Sequence, residues 1–240
     1  MEEIYKDNHE GWINTWRNEM PSKGIAKGLI HPNHPEHTSA SWIYGNKIQI
    51  YSLGHVSKKA VEAIRSGSSQ MIDTFNLNFE VTSSDIPREV ESLARAYSRG
   101  GIDEEGLSLA LGKRNIKRFA NGKQFPAEII LIPGYFNTDR ASYGSSRFHN
   151  GNIIFALPKK RQNDLSFLEK VAAHETAHLI GYGTHHSDTD ISGFDDQEKE
   201  CIMDWEVPSD YLCGKCFTAI DSFWKGLEEL TQRNYRKNNS

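Results

Sequence analysis

Hydrophobic and polar positions along the chain fall into blocks of two periods. In "KIQIYSL", residues 47–53, Ile48 and Ile50 alternate with polar neighbours, the spacing of a strand. Apolar residues then recur at Val61, Ile64, Met71, Ile72 and Phe75, the spacing of a helix with one buried face. "LNFEVT" returns to period two through Leu77, Phe79 and Val81, and the turn residues and proline of "SSDIP" end it. Strand, helix, strand predicts a parallel crossover. Two further helical stretches follow, near 88–98 and 103–120. The second opens with Asp103, Glu104 and Glu105, acidic residues where the helix dipole favours them.

"AEIILIP" does not alternate. Ile129 to Ile132 is continuously apolar between Pro126 and Pro133, which predicts a central strand covered on both faces. "ASYGSSRF" and "NIIFAL", joined around Asn150 and Gly151, carry the turn chemistry of a hairpin, so one strand should run antiparallel at a sheet edge. A last strong helix is expected from Ser166, with Ser166 and Glu169 as a capping box, Phe167, Leu168, Val171, Leu179 and Ile180 on its core face, and Gly181 as its stop. Segment 217–233 reads as helix with a fraying tail. Residues 1–45, rich in Pro, His, Asn and Gly, hold no sustained period and read as an N-terminal extension to a single domain at 46–240. The expected fold class is α/β, a twisted mixed sheet with an antiparallel edge strand.

Bulk properties remove several function classes. A net charge of −4 and a pI near 6.2 give no global field to attract nucleic acid or an anionic membrane. Lys215, Lys225, Arg233, Arg236 and Lys237 gather near the C-terminus, but Asp221, Glu228 and Glu229 dilute them into an ordinary solvated face, so no nucleic-acid partner is expected. No apolar run approaches the roughly 20 residues needed to cross a bilayer. The acidic start "MEEIYKDNHEGW" lacks the basic and apolar regions of a secretory signal, and the expectation is a cytoplasmic monomer with no membrane partner.

The chemistry concentrates in "HETAHLIGYGTHH", residues 174–186, which holds four of the ten histidines. The HExxH spacing places His174 and His178 one turn apart on one helix face, where two imidazoles can share a metal ion. Glu175 projects beside that face, within reach of a water molecule on the ion, and suits a general base. A catalytic zinc takes three protein ligands and keeps a fourth position open. His185 and His186 lie just past the Gly181 turn, and His185 is assigned as the third ligand. Zinc acidifies its water to a pKa of about 7, so the set describes peptide-bond hydrolysis with Glu175 as base and then acid.

All three cysteines, Cys201, Cys213 and Cys216, fall within sixteen residues. An odd, clustered set points to metal ligation more than to disulfides. Three thiolates need one more ligand for a closed tetrahedral site. His186 is favoured, with Asp188 and Asp190 as alternatives. Two zinc ions per chain are therefore expected, with the second site inside 186–216.

On these residues the chain resembles the archaemetzincin family of metzincin-like zinc metallopeptidases: His174, Glu175, His178 and Gly181, then His185, then the triplet "CIM" and the closing CxxC. The family pattern HExxHxxGxxH would put the third histidine at Thr184, so this chain carries a one-residue longer loop. Where the family has a cysteine after its third histidine, this chain has His186, which makes the second site three cysteines and one histidine. The resemblance implies a metzincin-like fold with a zinc-stabilised C-terminal subdomain, and Met203 as the Met-turn, an apolar floor under the catalytic ion. It also implies that "YGSSRFHNGNIIFAL" supplies an edge strand along which a peptide or protein substrate pairs by its main chain. The expected activity is a metalloprotease hydrolase, an endopeptidase or aminopeptidase. The alternative is a zinc-stabilised peptide- or protein-binding protein with little turnover; the division of His185 and His186 between the two ions is for experiment to decide.

Overall fold

The computed structural model describes residues 47–77, 79–120, 126–138, 142–147, 151–180, 201–203, 211–214, 216–218 and 220–221. The N-terminal extension, the loop with His185 and His186, and most of the expected 217–233 helix lie outside them.

Strand β1 (Lys47–Ser52) leads into helix α1 (Lys58–Thr74), which returns the chain to strand β2 (Glu80–Ser83) beside and parallel to β1. Ser57 caps α1 by accepting from the Ala60 amide at 3.1 Å. The strand read from Leu77 starts later, at Glu80. Asn76 takes a left-handed φ of 50°, and the Leu77 amide is committed to the Ile72 carbonyl at 3.2 Å, so this stretch closes the helix before the strand begins.

Helices α2 (Arg88–Ala96) and α3 (Glu104–Ala120) cross to strand β3 (Ala127–Ile132), which pairs parallel with β1. The hairpin of β4 (Gly144–Arg147) and β5 (Asn152–Ala156) completes the sheet, and helix α4 (Leu165–Leu179) follows. The strand order is β2-β1-β3-β5-β4, with β4 alone antiparallel, at the edge. The expected mixed sheet with an antiparallel edge strand is therefore present. Among the described residues no helix is long and apolar enough to cross a membrane.

The unbroken apolar run of β3 divides between two cores. Ile129 and Leu131 join Ile48, Ile50, Ile153 and Phe155 in a cluster that packs on α1 and α4. Ile130 and Ile132 join Tyr51, Leu53 and Ile154 against α2 and α3. All six β3 residues are buried, as a strand covered on both sides requires. Glu128 is among them at 1% exposure, on the α3 side, where Arg114 and Asn115 donate to its carboxylate. The ion pair keeps a charge inside the fold that would otherwise be too costly to bury.

The expected capping box does not form. Helix α4 starts at Leu165, with Asp164 at the cap and no side-chain cap bond, so Ser166 already lies within the first turn. The Glu169 carboxylate accepts from the Ser66 hydroxyl of α1 and so ties two helices together. These helices approach closely because Gly67 has no side chain: a Cβ there would stand 1.9 Å from the Glu169 carbonyl oxygen. Backbone cannot step aside as a flexible side chain can. Gly67→Ala should therefore lower stability by about 1–3 kcal/mol despite its better helix propensity. Chemical denaturation measures this, and an unchanged midpoint would contradict the close packing.

Candidate metal centre

Helix α4 brings the His174 and His178 rings edge to face, with centroids 4.7 Å apart and the two Nε2 atoms 3.1 Å apart. Both residues are half-buried, whereas Leu168, Ala172 and Leu179 of the same helix lie in the apolar core. His174 Nδ1 lies 2.6 Å from the Ile202 carbonyl oxygen. A carbonyl only accepts, so Nδ1 is the donor of this bond, and Nε2 is the ring nitrogen turned toward His178. Two nitrogens that each lie about 2.0–2.1 Å from one tetrahedral ion stand about 3.3 Å apart, close to the separation found here. The pair fits a shared metal ion.

Glu175, next to the first histidine, is only 8% exposed. Its side chain lies on the backbone of the edge strand: a Cβ on Gly144 would come within 2.6 Å of Glu175 Cγ and 2.9 Å of Oε1. The absence of a side chain at the start of β4 makes room for the carboxylate. Tyr143, one residue earlier, sets its ring on Phe167 of α4 at 4.5 Å, so two consecutive residues of the edge segment fit the helix that carries the histidines.

The second cluster joins residues distant from α4 in sequence. The sulfurs of Cys201, Cys213 and Cys216 all lie within 4.8 Å of one another, and all three residues are buried. Cys201 Sγ and Cys216 Sγ are 3.7 Å apart, and the Cys213 amide donates to Cys201 Sγ at 3.3 Å. No disulfide joins any of the three. Thiolates about 2.3 Å from one tetrahedral ion stand about 3.7–3.8 Å apart, so this spacing also fits a shared ion, and soft sulfur donors select zinc over hard cations. Burial pushes the Cys213 thiol above its ordinary range, hydrogen bonds with Cys216 pull the other way, and the charge of Cys201 adds to the rise.

The triplet 201–203 touches both clusters. Cys201 turns its sulfur to Cys213 and Cys216, Ile202 presents its carbonyl to His174, and Met203 is fully buried in the core under α4. A short parallel bridge, in which the Ile202 amide donates to the Tyr211 carbonyl at 2.6 Å, holds the triplet against the segment that leads to Cys213. Sequence reasoning singled out Cys201 and Met203 but missed Ile202, whose contribution is a backbone carbonyl and leaves no trace in residue type. It also missed Gly144, although a glycine opening an edge strand is a signal that can be read. The structure therefore brings together His174 and His178 at one place, with Glu175 of the same helix seated on Gly144, and Cys201, Cys213 and Cys216 at another; His185 and His186 lie outside the described residues.

The chain is thus an α/β protein with two separate donor sets suited to metal. It is similar to the crystal structure of the archaemetzincin from Methanopyrus kandleri, at 16% identity and a TM-score of 0.49, over 75% of this chain and 95% of that one. No family model matches the chain, and no curated protein matches it.

Proposed function

We propose that this chain is a zinc-dependent peptidase that hydrolyses peptide bonds in a peptide or protein segment bound in extended form. The observation that carries this reading is the 3.1 Å convergence of the His174 and His178 Nε2 atoms on the helix that also carries the buried Glu175. In this reading His174, His178 and His185 hold the catalytic ion. Zinc, when bound there, supplies Lewis acidity, polarising a carbonyl oxygen and acidifying water. Ile202 keeps His174 in the tautomer that offers Nε2. Glu175 takes a proton from the attacking water and delivers it to the leaving amine. Strand β4, the last strand of the described sheet, aligns the substrate through main-chain hydrogen bonds. Cys201, Cys213, Cys216 and His186 hold a second, structural zinc, and Met203 floors the catalytic site.

The test is cleavage of a peptide library by the zinc-loaded chain. Glu175→Ala should retain both metals and the fold, while turnover falls by about 10²–10⁴-fold, the range for loss of a general acid–base group. Activity that survives the substitution in a clean preparation would refute the assignment. Wild type and variant that are equally inert, with a partner co-purifying with both, would make the chain a binding protein.

Gly144→Ala tests the seat of the carboxylate. The new methyl group meets Glu175 at Cγ in a buried position, so the side chain must change rotamer, and stability should fall by about 1–3 kcal/mol while the fold persists. Turnover should nonetheless fall by about tenfold or more, because a base moved by an ångström no longer meets its proton. Full turnover with unchanged metal content would show that Glu175 does not work from this seat.

A further inference from the structure

The Arg161 side chain is almost fully buried at the connection between β5 and α4, yet the chemistry proposed above does not use it. Its guanidinium carbon lies 3.8 Å from the centroid of the Tyr143 ring and 5.2 Å from that of Tyr135, and Nη1 donates to the Ser142 carbonyl. A cation desolvated on aromatic faces is attracted strongly, and the planar guanidinium does this better than an ammonium. Tyr143 is thus held between Arg161 and Phe167, and its own carbonyl accepts from the Ala156 amide at 2.8 Å. The next residue is Gly144, the seat of Glu175. Gln162 fixes the turn that carries Arg161, accepting from the Ser57 amide at 2.8 Å and donating to the Leu157 carbonyl at 3.0 Å.

We infer that Arg161 is a positioning residue: through Tyr143 and the Ser142 carbonyl it fixes the start of β4, and so sets both the edge that pairs with an extended peptide and the wall on which Glu175 rests. The inference rests on the peptidase reading of the site. It predicts that contacts made along the peptide depend on Arg161, while contacts made only to the ion do not.

Two probes separate these contacts on the zinc-loaded full chain: acetohydroxamate, which engages the ion alone, and a tripeptide hydroxamate, which also engages the edge. By calorimetry, Arg161→Met should weaken the tripeptide probe about tenfold and leave acetohydroxamate within about twofold. Arg161→Lys should recover only part of the loss, because it restores charge without the plane. Tyr143→Leu, which removes the ring and keeps the bond to Ser142, should repeat the Arg161→Met pattern. Without any ligand, amide exchange at 144–147 should quicken in Arg161→Met relative to β3. Equal weakening of both probes would reduce Arg161 to a general structural role, and no weakening of either would remove its role altogether. A wild-type chain that binds neither probe would instead overturn the reading of the metal site itself.

Discussion

Cys216→Ser is expected to release one of two metal ions and to destabilise the chain more than any other single change considered. A structural zinc held by thiolates contributes on the order of 10–16 kcal/mol of apparent binding free energy, and that energy is available only to the folded chain. Cys201, Cys213 and Cys216 converge inside the same apolar cluster that supports α4, Cys216 from a helical turn that begins just after Cys213. Without the ion, two buried sulfurs and one new hydroxyl must be satisfied by protein alone. The damage should also spread. Cys201 is bonded to Ile202, whose carbonyl sets the His174 tautomer, so loosening the sulfur cluster frees the acceptor on which the histidine depends. Partners of this kind are typically worth about 10–100-fold in metal affinity. The variant should therefore bind the remaining ion about 10–100-fold more weakly in chelator competition, and its thermal midpoint should fall sharply. Unchanged metal content and an unchanged midpoint would show that the sulfurs pack as ordinary core groups.

His178→Ala should act in the opposite sense. It removes one of the two converging Nε2 atoms from a half-buried position, so its effect on the core is small. With one imidazole remaining on α4, the site loses both charge-donating capacity and geometry, and the ion bound there should leave while the sulfur-bound ion stays. Turnover should fall to background. Elemental analysis of wild type and variant, with unfolding followed in parallel, separates this outcome from general damage. A variant that keeps both ions would mean that His178 is packed and not a ligand. The two substitutions together predict a crossed pattern: Cys216→Ser lowers stability and one metal count, His178→Ala lowers the other metal count and activity.

The sequence carried the sheet and the helices because their signals are local. Alternation at Ile48 and Ile50 and the continuous run at Ile129 to Ile132 state burial directly, and the turn residues before Asn152 mark the hairpin, so the parallel crossover, the buried central strand and the antiparallel edge strand could be read. The boundary at Leu77 failed because a left-handed Asn76 outweighed an alternating pattern only three positions deep. The capping box failed because Ser66, more than a hundred residues away in sequence, takes the Glu169 carboxylate. Long-range partners of that kind have no local signature. The same holds for Glu128, a carboxylate at the start of an apolar strand that is buried against Arg114. At the site, His174, Glu175, His178 and the cysteines stood out because the HExxH and CxxC spacings are local patterns of residue type. Their supports did not: a carbonyl at Ile202 and an absent side chain at Gly144 act through backbone, and Arg161 acts through rings that only the fold brings to it.

The central claim is that two metal sites stand apart, one on nitrogen and one on sulfur, joined by a single residue triplet. Anomalous diffraction at the zinc edge from crystals of the zinc-loaded chain tests it most directly. The account predicts two peaks, one between the Nε2 atoms of His174 and His178 and one among the sulfurs of Cys201, Cys213 and Cys216. A single peak, or a histidine pair with no density between its rings, would contradict it.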